Sequence, residues 1–310
     1  MNAIFIGGCG RSGTTMLGAM LGAHTDCLCT PESQFKADVI RGFYNEGIKS
    51  IDVAEALHRI KSHWRFRIWG LSLDDPPWKE VTSCRELITW IVKEYGQQAC
   101  KPNARIWIDH TPGNRKHTDI LFDLFPESKM IHIIRDGRAV ASSIMHLDWG
   151  ANTIERAAHF WKKRVLQGLE AESLWSNRVL RISYEDLVAK PEATLKMLCT
   201  FIGIEYQSQM VEGTGFRMPS YTQGQHQLVG KMPDIKRTNA WEQLLSNRQI
   251  EIFESIAGDL IEELGYSLKY GSGAKTITQR EHFLLDAENF FRKIINRYRK
   301  KSRKRKIDLL

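Results

Sequence analysis

A glycine-rich stretch near residue 10 combines residue types that bind phosphate. Gly8 and Gly13 have the GxxxxG spacing, and Arg11 and Ser12 lie between them. An apolar run precedes the stretch, and a helical pattern, Thr14–Ala23, follows it. Glycines let backbone N–H groups approach a phosphate closely, and the N-terminus of a helix carries a partial positive charge. The order of strand, loop and helix therefore predicts a phosphate-binding loop.

The residue after Gly13 distinguishes this loop from those of nucleotide triphosphatases. It is Thr14, whereas the triphosphatase motif has a lysine there that contacts the β- and γ-phosphates. The nearest cation is Arg11, inside the loop. We therefore expect a site for a phosphate group rather than for ATP hydrolysis, with a P-loop kinase-like nucleotide-binding phosphotransferase as the alternative.

A second motif pairs an arginine with a hydroxyl. Arg135 ends an apolar run, and Ser143 follows eight residues later in a helical pattern. In α/β proteins ligands bind at the carboxyl edge of the sheet, where a strand-end arginine and a serine two turns into the next helix can contact one phosphate. Arg138 is a further candidate for this contact.

Four short apolar runs alternate with helical patterns along the chain, which predicts an α/β fold with a parallel sheet flanked by helices. The predicted strands are Ile4–Ile6, Ile106–Ile108, Met130–Ile134 and Val179–Ile182. Residues 36–104 contain weak helical patterns and four tryptophans, so we interpret them as a helical insertion that caps the substrate. A break near Gly271 separates a catalytic domain, residues 1–270, from a basic tail, residues 271–310.

The stretch Gly10–Leu17 resembles the 5′-phosphosulfate loop of sulfotransferases that use 3′-phosphoadenosine-5′-phosphosulfate (PAPS). Its Arg-Ser-Gly-Thr-Thr sequence is most similar to the tyrosylprotein and carbohydrate branch of that family. The resemblance implies a P-loop NTPase-like sulfotransferase fold and PAPS as the sulfonyl donor. It also implies that five residues hold the 5′-phosphate and the sulfonate: Arg11, Ser12, Gly13, Thr14 and Thr15.

Further motifs extend the resemblance over about residues 1–265. The Arg135 and Ser143 pair resembles the family's 3′-phosphate clamp. The Ser-Tyr-Glu-Asp sequence around Tyr184 resembles the segment that approaches the adenine. Lys236 and Arg237 stand where the family has a loop that closes over the nucleotide, so both are candidate phosphate contacts.

Sulfonyl transfer needs a general base for the acceptor hydroxyl and positive charge around the transferring group. Glu32 matches the position of the catalytic glutamate in the tyrosylprotein and heparan-type branch, and Arg11 would supply charge. His110 is the other candidate base. It stands in an Asp-His-Thr-Pro sequence where related sequences often have Glu-Lys-Thr-Pro, so a protonated His110 could instead replace the charge of the missing lysine.

The net charge of +8 originates in the tail. Ten Lys or Arg residues lie between Arg292 and Lys306, and without residues 292–310 the chain has 34 basic and 35 acidic residues. Apolar residues recur at helical spacing from Phe283 to Tyr298, which predicts a basic amphipathic helix. We expect such a helix to bind an anionic membrane surface, and we expect no nucleic-acid partner, because the sequence lacks interleaved aromatic and basic residues.

Neither a membrane-spanning run nor a signal peptide is evident, so the expected location is the cytoplasm, with peripheral membrane association. The cysteines and histidines show no metal-binding spacing, so no metal is expected to be required. The acceptor is a hydroxyl compound whose pocket we assign to residues 36–104 and 205–230. A carbohydrate or glycolipid is favoured, a peptide tyrosine comes next, and a small alcohol or sterol is third.

Overall fold

In the computed structural model of the chain, the structure describes residues 1–36, 52–219, 230 and 234–307. Parts of two predicted regions, residues 37–51 of the insertion and 220–229 of the acceptor segment, lie outside the described residues. The same is true of the last three residues of the tail.

The core is a parallel sheet of five strands in the order β2-β3-β1-β4-β5. The strands are β1 (Asn2–Gly8), β2 (Cys27–Thr30), β3 (Ile106–Asp109), β4 (Lys129–Ile134) and β5 (Val179–Ser183). β1 lies in the centre, where Phe5 pairs with Asp109 on one side and Met130 on the other. β1 to β4 are buried on both faces apart from the first residues of β1 and β4, which explains their continuous apolar sequences, whereas the edge strand β5 is partly exposed.

Helices cover both faces of the sheet. Those before β4 are α1 (Thr14–Gly22), α2 (Val53–Ser62), α3 (Trp64–Arg67), α4 (Cys84–Gln98) and α5 (Thr118–Leu124). Those after β4 are α6 (Gly137–Ile144), α7 (Ile154–Leu174), α8 (Tyr184–Ala189), α9 (Pro191–Ile202), α10 (Trp241–Leu244), α11 (Asn247–Glu263) and α12 (Gln279–Ile307). This architecture confirms the predicted fold class, including the helical insertion and the C-terminal helix.

Local sequence signals define several helix ends. The side chain of Ser83 accepts a hydrogen bond from the Glu86 N–H at the start of α4, and Ser246 forms a capping box with Gln249 at the start of α11. Gly203 ends α9 in the left-handed region with a φ of 89°. These caps satisfy backbone groups that a helix end leaves without partners.

The insertion packs onto the half of the sheet that contains β2 and β3. Residues of α2 and α4 share one hydrophobic cluster with Leu28, Phe5 and Trp107. This packing covers the edge strand β2. The sequence analysis did not predict β2, but the four strands that it predicted are all present, with ends that differ by at most a few residues.

Candidate active site

The phosphate loop connects β1 to α1 through two residues with left-handed backbone. Arg11 has a φ of 74° and Gly13 a φ of 94°. A Cβ on Gly13 would lie 2.6 Å from the ring of Tyr184, so both backbone conformation and space demand glycine here. The loop therefore turns sharply and packs directly against the start of α8.

The two predicted phosphate motifs meet at one place. The Arg11 Nε donates a hydrogen bond to the Ser143 Oγ at 3.0 Å, although the two residues are 132 positions apart. Arg135 Nη1 donates to the backbone carbonyl of Arg11 at 3.1 Å. These contacts join the phosphate loop to the end of β4 and to α6, at the carboxyl edge of the sheet.

Tyr184 lies beside this junction because β5 ends immediately before it. The guanidinium of Arg135 lies over its ring, 4.2 Å from the centroid. The exposed segment Ile235–Arg237 forms a single 3₁₀ turn, and the Arg237 carbonyl accepts a hydrogen bond from Arg135 Nη2 at 3.1 Å. The structure thus brings Tyr184 and the turn with Lys236 to the same edge as the phosphate loop.

The charges at this junction favour an anion. Burial lowers the pKa of Arg11, and the neighbouring cations Arg135 and Arg237 lower it further. Among the described residues, the buried Ser12 Oγ and Arg135 Nε have no hydrogen-bond partner. Buried polar atoms are normally satisfied, so these two atoms and the paired arginines fit a ligand with phosphate groups.

Glu32 follows β2 by two residues and reaches the same edge from the other side. Its carboxylate accepts hydrogen bonds from Arg65 Nη1 at 2.9 Å and Gln34 Nε2 at 3.2 Å, and it remains 23% exposed. The negative charge of Glu32 favours the charged forms of Arg11 and His110, so it acts on both. Arg65 belongs to α3, so the insertion contributes a direct partner of the candidate base.

Asp109 is enclosed in a buried polar network instead of facing a ligand. Lys36 and Ser33 both donate to its carboxylate, and Thr111 donates its N–H and its hydroxyl. Burial disfavours the charged form, but the ammonium of Lys36 and these hydrogen bonds outweigh burial and keep the pKa of Asp109 below its usual range. Asn114 accepts from Lys36 at 2.8 Å and ties the network to the turn after β3.

His110 is buried and, among the described residues, neither ring nitrogen has a hydrogen-bond partner. Burial lowers its pKa, although the nearby carboxylates of Glu32 and Asp109 oppose this effect. The ring packs edge-on against Phe216, with 4.9 Å between centroids. Of the two states considered from the sequence, the structure favours the neutral imidazole over the protonated form.

Arg138 does not contribute to the phosphate site, and that part of the sequence interpretation is wrong. Its guanidinium is buried between the carboxylates of Asp136 and Glu254, at 2.7 and 2.6 Å, and lies over the ring of Trp241. A buried arginine with two carboxylate partners joins α11 to α6 and is not available for a ligand.

A groove of about 570 Å³ runs along the edge strand β2. Its lining is divided about evenly between polar and apolar surface and comes from β2, the insertion and the segment 214–219. The apolar side includes Leu28, Ile68, Trp69, Tyr95, Phe216 and Met218, and the polar side includes Gln98, Lys101, Thr214 and Arg217. Neither candidate base lines the groove, but each contacts a residue that does: Trp69 Nε1 donates to the Glu32 carbonyl at 3.4 Å, and the Phe216 ring packs against His110.

The family comparison agrees with this geometry. The model of the sulfotransferase family matches residues 3–208, which include the phosphate loop, Arg135, Ser143 and Tyr184. This chain belongs to the sulfotransferase family. Membership confirms the enzyme class predicted from the loop, with PAPS as the donor, and it does not favour the phosphotransferase alternative.

Curated relatives of this sulfotransferase include nematode enzymes. The putative protein-tyrosine sulfotransferase of Caenorhabditis briggsae is 24% identical over 245 residues, covering 75% of this chain and 72% of the relative. Protein-tyrosine sulfotransferase A of Caenorhabditis elegans is 24% identical over 278 residues, covering 85% and 67%. The family resemblance noted in the sequence is confirmed.

A solved structure supports the fold. The sulfotransferase domain from the Synechococcus PCC 7002 olefin synthase has a TM-score of 0.60 and 21% identity, covering 86% of this chain and 95% of that domain. Within the described ranges, the sulfotransferase has no group of His, Cys, Asp and Glu that could hold a metal ion. In the same ranges no helix is both long and apolar enough to cross a bilayer.

Sequence reasoning missed several residues of this sulfotransferase site. Arg65, Lys36 and Phe216 contact the candidate bases or their network, and Trp149 lies beside the phosphate loop, 3.3 Å from where a Gly10 Cβ would be. None of them belongs to a recognisable motif. The only available signal was that Lys36, Arg65 and Phe216 occur in the two segments assigned to the acceptor pocket.

Proposed function

We propose that this sulfotransferase moves the sulfonyl group of PAPS to the phenolic hydroxyl of a peptide tyrosine, with Glu32 as the general base. The observation that carries the proposal is the contact of Arg11 with Ser143 and Arg135, which makes one cationic site from the two phosphate motifs. The acceptor class rests on the groove and on the names of the curated relatives.

The donor would lie across the carboxyl ends of β1 and β4. Arg11, Ser12 and Gly13, together with the hydroxyls of Thr14 and Thr15, would hold the 5′-phosphate and the sulfonate. Arg135 and Ser143 would hold the 3′-phosphate, Tyr184 would flank the adenine, and Lys236 and Arg237 would cover the nucleotide. When bound, PAPS supplies the sulfonyl group and a bisphosphate leaving group.

Glu32 would take the proton from the acceptor hydroxyl as the new oxygen–sulfur bond forms and the bond to the donor phosphate breaks. Arg65 and Gln34 hold its carboxylate in place. Arg11 and the loop N–H groups would neutralise the charge that develops on the departing side. These roles assign the proton and the leaving group to different halves of the sheet edge.

The roles of Arg11 and His110 are also proposals. The neutral His110 ring, buried beside Phe216, would orient the acceptor through a ring nitrogen and serve as the base if Glu32 does not. Its lowered pKa argues against a role as a substitute cation, so we propose that Arg11 alone supplies charge near the sulfonyl group.

The polar groups of the groove favour a phenol over a sugar. Lys101 donates to the carbonyls of Gly22, His24 and Cys27, and Gln98 donates to the Gly70 carbonyl. Sugar recognition needs many uncommitted hydrogen-bonding groups, whereas a phenol ring needs aromatic walls and one polar contact at its hydroxyl. Thr214 and Arg217 also line the groove, so the preference for a tyrosine over the carbohydrate that the sequence analysis favoured rests on the aromatic walls Trp69, Tyr95 and Phe216.

The test is a transfer assay with sulfur-labelled PAPS and three acceptors: a tyrosine peptide, its phenylalanine counterpart, and a free hexosamine. We expect label on the tyrosine peptide alone, and none with Arg135→Ala. Label on the hexosamine alone would overturn the acceptor assignment while leaving the donor assignment intact. Label on no acceptor, together with no thermal stabilisation by 3′-phosphoadenosine-5′-phosphate, would overturn both.

The same thermal measurement separates the two nucleotide hypotheses. A ligand that binds only the folded state raises its melting temperature according to its affinity. We expect stabilisation by 3′-phosphoadenosine-5′-phosphate and little by ATP, since Arg135 and Ser143 are positioned for a 3′-phosphate that ATP lacks. Stronger stabilisation by ATP with magnesium would favour the phosphotransferase.

A further inference from the structure

The C-terminal helix α12 docks on the catalytic domain through its polar face. Its contacts are hydrogen bonds and ion pairs with the connector between α6 and α7 and with the start of α7. They join Asn289 to Asn152 at 3.0 Å, Asn296 to Asn152 at 2.8 Å, Arg292 to the Met145 carbonyl at 3.1 Å, Arg303 to Asp148 at 3.0 Å, and Asp286 to Arg156 at 2.9 Å. Asn289 is buried in this contact.

The apolar face of the same helix points away from the protein. Phe283 is 73% exposed and Tyr298 is 71% exposed. Other large apolar side chains of this face are exposed as well: Leu284, Phe290, Phe291 and Ile294. Successive residues of an α-helix are rotated by about 100°, so these side chains form one stripe opposite Asn289 and Asn296.

This orientation is the reverse of that of an ordinary surface helix, which buries its apolar stripe against the core. A contiguous stripe of exposed phenylalanine and isoleucine side chains marks an interaction surface. The polar contacts to Asn152 and Asp148 fix the helix in this orientation, so the stripe is presented outward by the packing itself.

The charges beside the stripe indicate its partner. Ten Lys or Arg residues lie between Arg292 and Lys306, and the acidic residues of α12, Glu281, Asp286 and Glu288, all precede them. Lys301 and Arg305 are exposed and continue the line of the stripe at helical spacing from Ile294. An apolar, aromatic stripe that passes into a dense basic segment is complementary to hydrocarbon beneath anionic headgroups.

We propose that α12 binds an anionic bilayer through the stripe from Phe283 to Tyr298, with the basic segment on the headgroups. The helix would lie in the plane of the membrane surface. Its docking site is adjacent to the active site, because the connector that holds α12 also carries Trp149, whose ring lies beside Gly10 of the phosphate loop. The bound membrane would lie on the outer face of α12, on the opposite side of the helix from this connector.

The test is co-sedimentation of the full chain with vesicles of phosphatidylcholine alone or of equimolar phosphatidylcholine and phosphatidylserine. We expect binding to the anionic vesicles only. The triple variant Phe283→Ser, Phe290→Ser and Phe291→Ser should lower the partition coefficient of the protein between anionic vesicles and water at least ~10-fold. Leucine at the same positions is the matched control, because it keeps the stripe apolar, and it should bind like the parent.

The charge contribution is tested separately with the triple variant Lys300→Gln, Lys301→Gln and Arg305→Gln, which should also weaken binding to the anionic vesicles ~10-fold. Transfer of the sulfonyl group to a soluble acceptor should stay unchanged in every variant, since none of these residues touches the proposed donor or acceptor site. Failure of vesicle binding therefore leaves the enzymatic proposal intact.

Two results would overturn the membrane proposal. The first is parental binding by the serine variant, or equal binding of the parent to both vesicle types. The second is a parental protein that does not bind vesicles and sediments as a dimer, while the serine variant sediments as a monomer. The stripe would then be an interface between two copies of this chain.

Discussion

The two halves of the sheet's carboxyl edge differ in how their charges are matched. On the β1–β4–β5 half, Arg11 and Arg135 contact hydroxyl, carbonyl and aromatic groups, and their mutual repulsion helps to lower the pKa of Arg11. On the β2–β3 half, Asp109 is paired with Lys36 and Glu32 with Arg65.

This difference in charge pairing indicates which half of the sheet edge binds a charged ligand. Cations that repel one another are stabilised when an anion binds, whereas a buried acid–base pair is already neutral and needs none. We therefore place the bisphosphate donor on the first half and the neutral acceptor hydroxyl on the second. The following substitutions test this division.

The largest effect should come from Glu32→Gln. Loss of the general base should lower kcat by ~10²–10⁴-fold while leaving the affinity for 3′-phosphoadenosine-5′-phosphate near the parental value. Single-turnover kinetics and calorimetric titration measure the two quantities. Glu86→Gln, at an exposed helix start, is the matched control. Retained turnover would transfer the role of base to His110 and would be checked with His110→Ala.

Arg135→Ala should have the next largest effect, on donor binding. Because the substitution removes a cation that would form charge-assisted hydrogen bonds to a phosphate, it should weaken the binding of 3′-phosphoadenosine-5′-phosphate ~10²-fold. The control is Arg105→Ala, because the Arg105 side chain is 77% exposed and lies at the opposite, amino end of the strands. Parental affinity in Arg135→Ala would contradict a donor site on this half.

Ile68→Ala should have a smaller effect that is confined to the acceptor half. Ile68 lines the groove and contributes no charge. Its truncation should therefore raise the KM for the acceptor ~10-fold and leave the affinity for the donor unchanged. Leu244→Ala, an exposed residue of α10, serves as the control. A change in donor affinity instead would show that the two halves are not independent.

The smallest effect concerns the dependence of stability on pH. Burial lowers the pKa of His110 in the folded state, so the unfolded chain takes up the proton first. Folding stability should therefore fall as the pH drops below ~6.5, the ordinary histidine value, until the folded-state pKa is reached. His110→Gln should remove this contribution.

Denaturant unfolding at pH values above and below that point would measure the change. We expect a smaller loss of unfolding free energy in His110→Gln than in the parent, whereas the exposed His58→Gln should match the parent. The buried His132 is present in all three proteins, so its contribution cancels. An unchanged pH slope in His110→Gln would contradict a neutral, buried imidazole.

Most of the fold was predictable because parallel strands buried on both faces have continuous apolar sequences. The exception is β2, Cys27–Thr30. β3 is equally short, but its Ile-Trp-Ile sequence is rich in β-branched and aromatic residues, whereas the Cys-Leu-Cys-Thr sequence of β2 is a weaker strand pattern and pairs only with β3. The helical insertion was predicted as a region, but its packing on Leu28 and Trp107 depends on contacts with distant residues.

The sequence by itself determined the phosphate loop, the strand-end Arg135 and the basic tail, because each depends on residues that are close together in the chain. Only the tertiary structure decided that Arg65 pairs with Glu32 and that Lys36 neutralises Asp109, across 33 and 73 positions respectively. It likewise decided that His110 is buried and that the apolar face of α12 points outward. Charge pairing and burial depend on which distant segments of the chain pack together, and a local sequence pattern does not predict that packing.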